Sequence, residues 1–357
     1  MKKIILILLL LLTTACQDYT EINDFAIISG IILDYTNEYE MISELIINEE
    51  ETKIEVFKTT GKTIDECLSK ISEFSNKDIF ISHLKTLILT ENIINKNINI
   101  YDYFLRSSKS KMNFDVYITN SKQKDELFTI NKDESTSEYI QKIMTYNDKI
   151  YSSSSILKFI DLIHKKYEPG LDPIYPNLTI VENENEKKIE LNNLTFFIKN
   201  EQKLLTNEQS IYYNVLTNNI DKTILNLKCD NNDYTLLIND IKTTKKYNKN
   251  KKELTYKIDI KSNVNNYECD LDLQKENNIK KLKEISNKEI QTKINELINI
   301  TKENNYDFLG IQNYAYKHAK KTNLQDIKIK VLINTEINSI GEIRKWKKKL
   351  IVFHYQQ

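Results

Sequence analysis

Few side chains in this chain could carry chemistry. Its thiols are Cys16, Cys67, Cys229 and Cys269, and its imidazoles are His83, His164, His318 and His354. No histidine has a second histidine or a cysteine at the short spacing that a metal site uses. His83 lies in an apolar run that reads as a buried strand, where a hydrogen-bonded core histidine is the economical assignment. His318 follows Tyr314 and Tyr316 on an expected helix and reads as a surface residue. Asp24, Asp34 and Asp307 flank apolar runs, and there they read as caps or turns rather than general acids or bases. The phosphate-cradling, dinucleotide-binding, nucleophile-elbow and zinc-protease motifs are absent. No catalytic, cofactor-binding or metal-ligating residue is therefore expected.

Cys16 is different, because of what precedes it. Lys2 and Lys3 lead into an unbroken apolar run from Ile4 to Leu12, followed by Thr13, Thr14, Ala15 and then Cys16. A charged start, a short apolar core and small residues describe a secretory signal peptide, residues 1–15. The run is too short for a permanent transmembrane helix, which needs about 20 apolar residues. A cysteine directly after the cleavage site resembles the lipobox of bacterial lipoproteins, although Thr13 replaces the usual aliphatic residue there. Cys16 is thus the expected lipidation site and the first residue of an exported, membrane-tethered chain. The first strand begins about nine residues later, a reach of roughly 30 Å at ~3.3 Å per extended residue.

Composition sets the outer limits. A chain of 357 residues with 40% hydrophobic and 29% charged residues can build cores, and its length suits two or three domains. Formal net charge is 0, and loss of Lys2 and Lys3 takes it to −2, which gives no basic excess for binding nucleic acid. With Cys16 acylated, three cysteines remain, so a disulfide framework is excluded and Cys229–Cys269 is at most one bridge. The tail Arg344–Lys349 surrounds the single tryptophan, Trp346, and reads as a solvated terminus or a lysine-guarded edge, with contact to a membrane surface as the alternative.

The elements read as follows. Phe25–Tyr35 is a buried strand, with Gly30 marking a bulge or a close backbone approach. Tyr39–Ile47 and Lys53–Thr60 are further strands. A helix starts at Thr63 with a capping box to Glu66, and Cys67 lies on its core face. Ile79–Thr90 reads as one continuous strand, 91–106 as a helix or broken pair, and Asn113–Thr119 as a strand. The polar stretch Asn131–Glu138 is the best linker. Helices follow at Tyr139–Tyr146 and Ser154–Lys166, then strands at Leu178–Val181 and Leu191–Lys199. Beyond a helix at Asn207–Leu216 come strands Lys222–Lys228, Tyr234–Ile241, Lys252–Ile260 and Tyr267–Leu273. Helices from about Asn278 to Asn305 and Tyr306–Lys321 precede a closing strand, Ile327–Asn334. Tyrosines at strand spacing, Tyr234, Tyr256 and Tyr267, read as sheet packing. The expected fold is mixed α/β, in three small mixed-sheet domains at 25–130, 131–206 and 207–357 after a 16–24 spacer.

The order of these blocks resembles the Ger(x)C lipoproteins, the C subunits of spore germination receptors. Glu21, Ile22, Asn23, Asp24, Ala26 and Gly30 match the segment that enters the family's first strand. Ser82–Lys85 and Phe104–Arg106 match later blocks, as do Tyr306–Ile311 and Ile337–Gly341. Gln312 departs, standing where members often carry glycine. The resemblance implies a non-enzymatic lipoprotein on the outer face of the spore inner membrane. It also implies two integral-membrane partners, the A and B subunits, and no cofactor. The alternative is a substrate-binding lipoprotein of a membrane transporter. That needs two similar lobes around a cleft, and the strand patterns of the two halves are unequal. An exported hydrolase has no nucleophile constellation behind it.

Overall fold

The computed structural model describes residues 25–48, 52–107, 110–131, 134–183, 186–229, 231–319 and 322–340. Cys16, Asp24, His354 and the Arg344–Lys349 tail lie outside the described residues. Strand β1 (Phe25–Tyr35) is buried on both faces from Ile28 to Asp34, as an apolar run without alternation requires. It lies inside a nine-stranded sheet. On one side it pairs antiparallel with β2 (Tyr39–Asn48), which carries the outermost strand, β3 (Thr52–Gly61). On the other it pairs in parallel with both β4 (Asp78–Phe80) and β5 (Thr86–Thr90). The sheet continues through β6 (Asp115–Thr119), β7 (Tyr175–Asn183), β8 (Glu186–Ile198) and β9 (Glu201–Leu204).

The run Ile79–Thr90 is two strands rather than one. The chain turns between them, with Leu84 N–H donating to Ile81 O and Lys85 N–H to Ser29 O. The break lies against the register shift in β1 between Ile28 and Gly30. Gly30 also makes the close approach its sequence suggested. A Cβ there would come within 2.0 Å of the Ser137 hydroxyl.

Helices cover both faces of this sheet. One face packs α1 (Ile64–Ser75), α2 (Glu91–Asn95), α3 (Tyr101–Arg106) and α6 (Phe159–Tyr167) over Ile31, Leu33, Leu87 and Val116. The other packs α4 (Lys124–Leu127) and α5 (Thr136–Ile150) over Ile32, Ile88 and Tyr117. Thr63 caps α1 by accepting the Glu66 N–H, while Glu66 reaches one residue further back than expected, to the Lys62 N–H. Helix α6 starts five residues later than its periodicity suggests. Residues 157–159 are instead bonded to the backbone of Phe114 and Val116, which holds them extended. Strands β7 to β9, from the segment 131–206, continue the first sheet through the parallel pairs Ile118↔Asn177 and Thr119↔Leu178.

The second sheet has four strands in the order β10 (Thr223–Cys229), β11 (Asn232–Asn248), β12 (Glu253–Tyr267), β13 (Lys328–Ser339). The first three form an antiparallel meander, and β13 pairs in parallel with β12 after a helical crossover. That crossover is α8 (Glu276–Glu303) and α9 (Ile311–His318). Helix α7 (Asn207–Thr217) joins the two sheets. The core beneath the second sheet takes in Leu194 and Phe196 of β8 and Ile174, so the two halves share apolar packing. Residues 268–273 are a loop, not a strand, because Cys269 is tied to Cys229 by a disulfide. Tyr306–Gly310 is a turn that delays α9, with Gly310 at φ +66°.

Candidate functional site

The first sheet carries three buried carboxylates, Asp34, Glu44 and Asp115, the last of them paired with Lys158 (2.6 Å). Asp34, at the end of β1, is 1% exposed. It accepts hydrogen bonds from Tyr35 N–H (2.8 Å), Thr90 Oγ1 (2.6 Å) and Asn92 Nδ2 (2.9 Å), and it pairs with the Lys124 ammonium. Lys124 also reaches Glu40 at 2.8 Å, and Lys58 joins Glu40 (3.0 Å) to Asp125 (2.6 Å). Burial pushes the Asp34 carboxyl up, but Lys124, Thr90, Asn92 and the Tyr35 backbone together hold it below the ordinary aspartate value. The turn role expected of Asp34 is present in its bond to Tyr35. Its larger role is to pin β5, α2 and α4 to the end of β1.

Glu44 on β2 is fully buried. It accepts from Ser29 Oγ (2.8 Å), Ser135 Oγ (2.7 Å), Thr136 N–H (2.5 Å) and Ser137 N–H (3.1 Å). A carboxylate from another element thus satisfies the orphan donors at the N-terminus of α5, where the helix dipole favours negative charge. Sequence reading missed Glu44. Its signal was a second glutamate, after Glu40, placed among apolar residues of the strand YEMISELII.

A further buried carboxylate lies at the junction of the two halves. Asp307 accepts from the N–H groups of Ile311 (3.0 Å) and Gln312 (2.6 Å), capping α9, as its position beside an apolar run suggested. The Asp307 N–H donates to the Asp172 carboxylate, and Asp172 N–H donates back to Asp307 O. Tyr306 Oη donates to Pro173 O (2.6 Å), Asn313 N–H to Gly170 O (2.9 Å), and Lys317 pairs with Glu168 (3.0 Å). This clasp ties the loop between α6 and β7 to the turn before α9. Burial pushes the Asp307 carboxyl up to about 6, against the downward pull of the Gln312 and Ile311 amides, and Asp172 adds to the rise. The folded state therefore binds this proton more tightly than the unfolded chain. Its contribution to stability is largest below about pH 4 and is lost as pH rises through about 6. Asp307→Asn is expected to remove that loss, flattening the melting temperature between pH 4 and 7. An unchanged pH profile in the variant would contradict this assignment.

The remaining side chains sort plainly. His83 is exposed in the turn between β4 and β5, with its ring 5.5 Å from Phe80, rather than buried in a strand. His318 is exposed and stacks on Tyr314 at 4.8 Å. Cys67 is buried core. Tyr234 and Tyr256 are buried in the second sheet, and Tyr234 Oη bonds Ser286 (2.9 Å). A cleft of about 1010 Å³ opens beside the start of β1, with Phe25, Phe80, Leu68, Tyr103 and the Asp102–Arg106 pair among its walls. Among the described residues no group of three or more His, Cys, Asp or Glu side chains is arranged to hold a metal ion. Among them, too, no helix is long and apolar enough to cross a membrane. The buried carboxylates are bonded to helix ends, loop amides and lysines. The arrangement joins elements to one another.

Two family models match the chain in order. The "Spore germination protein N-terminal domain" matches residues 18–180, and "Spore germination B3/GerAC like, C-terminal" matches residues 192–341. A relative named "Spore germination protein GerQC", from Bacillus cereus, is 24% identical over 286 residues, which is 78% of each chain. Among solved structures, the crystal structure of the GerBC protein covers 87% of this chain and 97% of its own, at 13% identity and a TM-score of 0.49.

Proposed function

We propose a function from one premise: the chain belongs to the Ger(x)C family of spore germination proteins. On that premise it is the non-enzymatic lipoprotein subunit of a spore germinant receptor. It is tethered through Cys16 to the outer face of the spore inner membrane and works with A and B integral-membrane subunits in nutrient-triggered germination. The observation that carries this reading is the order of the two matched domains, which run from residue 18, two residues after Cys16, to residue 341. Two further features support it. A bonded Cys229–Cys269 pair suits an exported chain, because disulfides persist in oxidising compartments. The buried charges of Asp34, Glu44 and Asp307 hold elements of the fold together. The transporter alternative needs two similar lobes, whereas the sheets here have nine and four strands.

The test is purification of the full chain from detergent-extracted spore membranes. Two multi-span membrane proteins are expected to come away with it. The Cys16→Ala chain is expected to leave the membrane fraction. A wild-type chain recovered without membrane partners, or a Cys16→Ala chain that stays fully membrane-bound, would contradict the reading.

A further inference from the structure

Charge is spread unevenly over the second sheet. One face packs on α8, and the other is open. Across the open face the register sets Asn248, Glu253 and Lys328 in one row, Lys246, Thr255 and Lys330 in the next, and Thr244, Lys257 and Leu332 in a third. Further from the hairpin the charges are matched, Lys257 with Asp259 (2.8 Å) and Lys261 with Asp240 (2.9 Å). At the hairpin end they are not. The β11–β12 turn adds Lys249, Lys251 and Lys252, of which Lys252 alone has an ion pair, a 3.8 Å contact with Asp326. Lys246, Lys249, Lys251, Lys328 and Lys330 are exposed, and among the described residues their ammonium groups have no hydrogen-bond or ion-pair partner. Against these six lysines stand two acids, Glu253 and Asp326, which leaves a net charge of +4 in a chain that is neutral as a whole. The turn is also held in place. Asn248 Oδ1 accepts the Lys251 N–H (3.2 Å), and Lys328 N–H donates to Lys252 O (2.8 Å).

Position says what meets this charge. Strands β1, β5, β6 and β7 run parallel, with Leu33, Leu89, Ile118 and Asn177 in one row. The segment 170–173, just before β7, therefore lies at the end of the first sheet where β1 begins, which is the end the chain enters from Cys16. That segment holds the start of α9, through Asn313 N–H to Gly170 O and Asp307 N–H to the Asp172 carboxylate. Helix α9 has eight residues and is about 12 Å long. Along it, Tyr314 Oη donates to Lys245 O (2.7 Å), and the His318 ring lies 6.2 Å from that of Tyr247. The lysine hairpin is thus fastened, through one short helix, to the end of the molecule that carries the tether.

We propose that the β11–β12 hairpin and the adjoining lysines of the open sheet face are a second membrane contact, docking on the anionic headgroups of the bilayer that holds Cys16. The inference rests on the proposed tether, because the tether is what brings this end of the chain to a lipid surface. The contact is electrostatic and reversed by salt, so it orients a chain that is already anchored and does not by itself hold the Cys16→Ala chain on washed membranes.

The test uses the purified full chain carrying Cys16→Ala, so that no lipid anchor contributes. It is sedimented with vesicles of phosphatidylcholine alone or of phosphatidylcholine with phosphatidylglycerol. The quantity read is the ratio of the two partition coefficients, in which any apolar contribution from residues 1–15 cancels. The chain is expected to favour the anionic vesicles, and added salt is expected to abolish the preference. Lys246→Gln/Lys249→Gln/Lys251→Gln is expected to lower the ratio about a hundredfold, at roughly fivefold per lysine. Lys280→Gln/Lys281→Gln/Lys288→Gln removes the same charge from exposed positions of α8, across the sheet from the open face, and is expected to leave the ratio nearly unchanged. The single variants Lys249→Gln and Lys251→Gln, each expected to lower it about fivefold, give the same reading should the triple variant fold poorly. Equal binding to both kinds of vesicle, or equal losses in the two triple variants, would overturn the proposal. So would hairpin-dependent binding to duplex DNA without hairpin-dependent binding to anionic vesicles. If the wild type still stays on spore membranes through Cys16 in any of these cases, only the hairpin contact falls and the tether stands.

Discussion

Asp34→Ala is expected to destabilise the fold by about 3–5 kcal/mol, the range for breaking a buried ion pair by removing one partner. Lys124, with its side chain 11% exposed, would keep only Glu40, which itself is shared with Lys58. Thr90 and Asn92 would lose the acceptor that holds the end of β5 and the start of α2 against β1. Chemical denaturation of the wild type and the variant across pH checks both size and sign. The Asp34 carboxyl titrates below its unfolded value, so its contribution is fully present above about pH 4 and is lost as pH falls through the folded value. The gap between the two proteins should be constant near neutrality and should shrink in acid. A gap that widens as pH falls would show that Asp34 is not held as a paired carboxylate.

Removing the Cys229–Cys269 bridge is expected to have a comparable effect. The cysteines are separated by 40 residues and enclose all of β11 and β12. On the loop-closure account, a crosslink of that span stabilises by about 4 kcal/mol through restriction of the unfolded chain. Cys269→Ser, or reduction of the wild type, should therefore lower the denaturation midpoint sharply. The two treatments should also give the same midpoint, since both open the same loop. If reduction changes nothing in the wild type, the pair does not constrain the unfolded chain. The bridge also anchors the 268–273 loop against the end of β10, which explains why a segment of apparent strand character leaves the sheet.

These two sites show what the sequence could and could not disclose. Strong local patterns were readable. The Ile-rich run of β1, the Thr63 cap of α1 and the alternation of β12 each depend on neighbours within a few residues. Gly30 was readable too, because a glycine in an apolar strand implies a close approach, and Ser137 makes it. What escaped was set by distant partners. The run 79–90 breaks in two because Ser29 takes the Lys85 amide, and the helical period after Ser154 is overridden by backbone bonds to Phe114 and Val116. His83 leaves the core for the same break. Glu44, Lys124 and Asp172 acquire their meaning only from residues tens to more than a hundred positions away, and no spacing rule reaches that far. The family resemblance was legible for the opposite reason. It rests on the order of several short blocks, and the two matched domains preserve that order across the chain.

The central claim is that this chain is a working part of a germinant receptor. The most direct measurement is the rate of nutrient-triggered germination in spores lacking the chain, and in the same spores given back the wild type or the Cys16→Ala form. The account predicts a lost or much slowed response to at least one nutrient, restored by the wild type and not by Cys16→Ala. Unaltered germination of the deleted spores with every nutrient would contradict it.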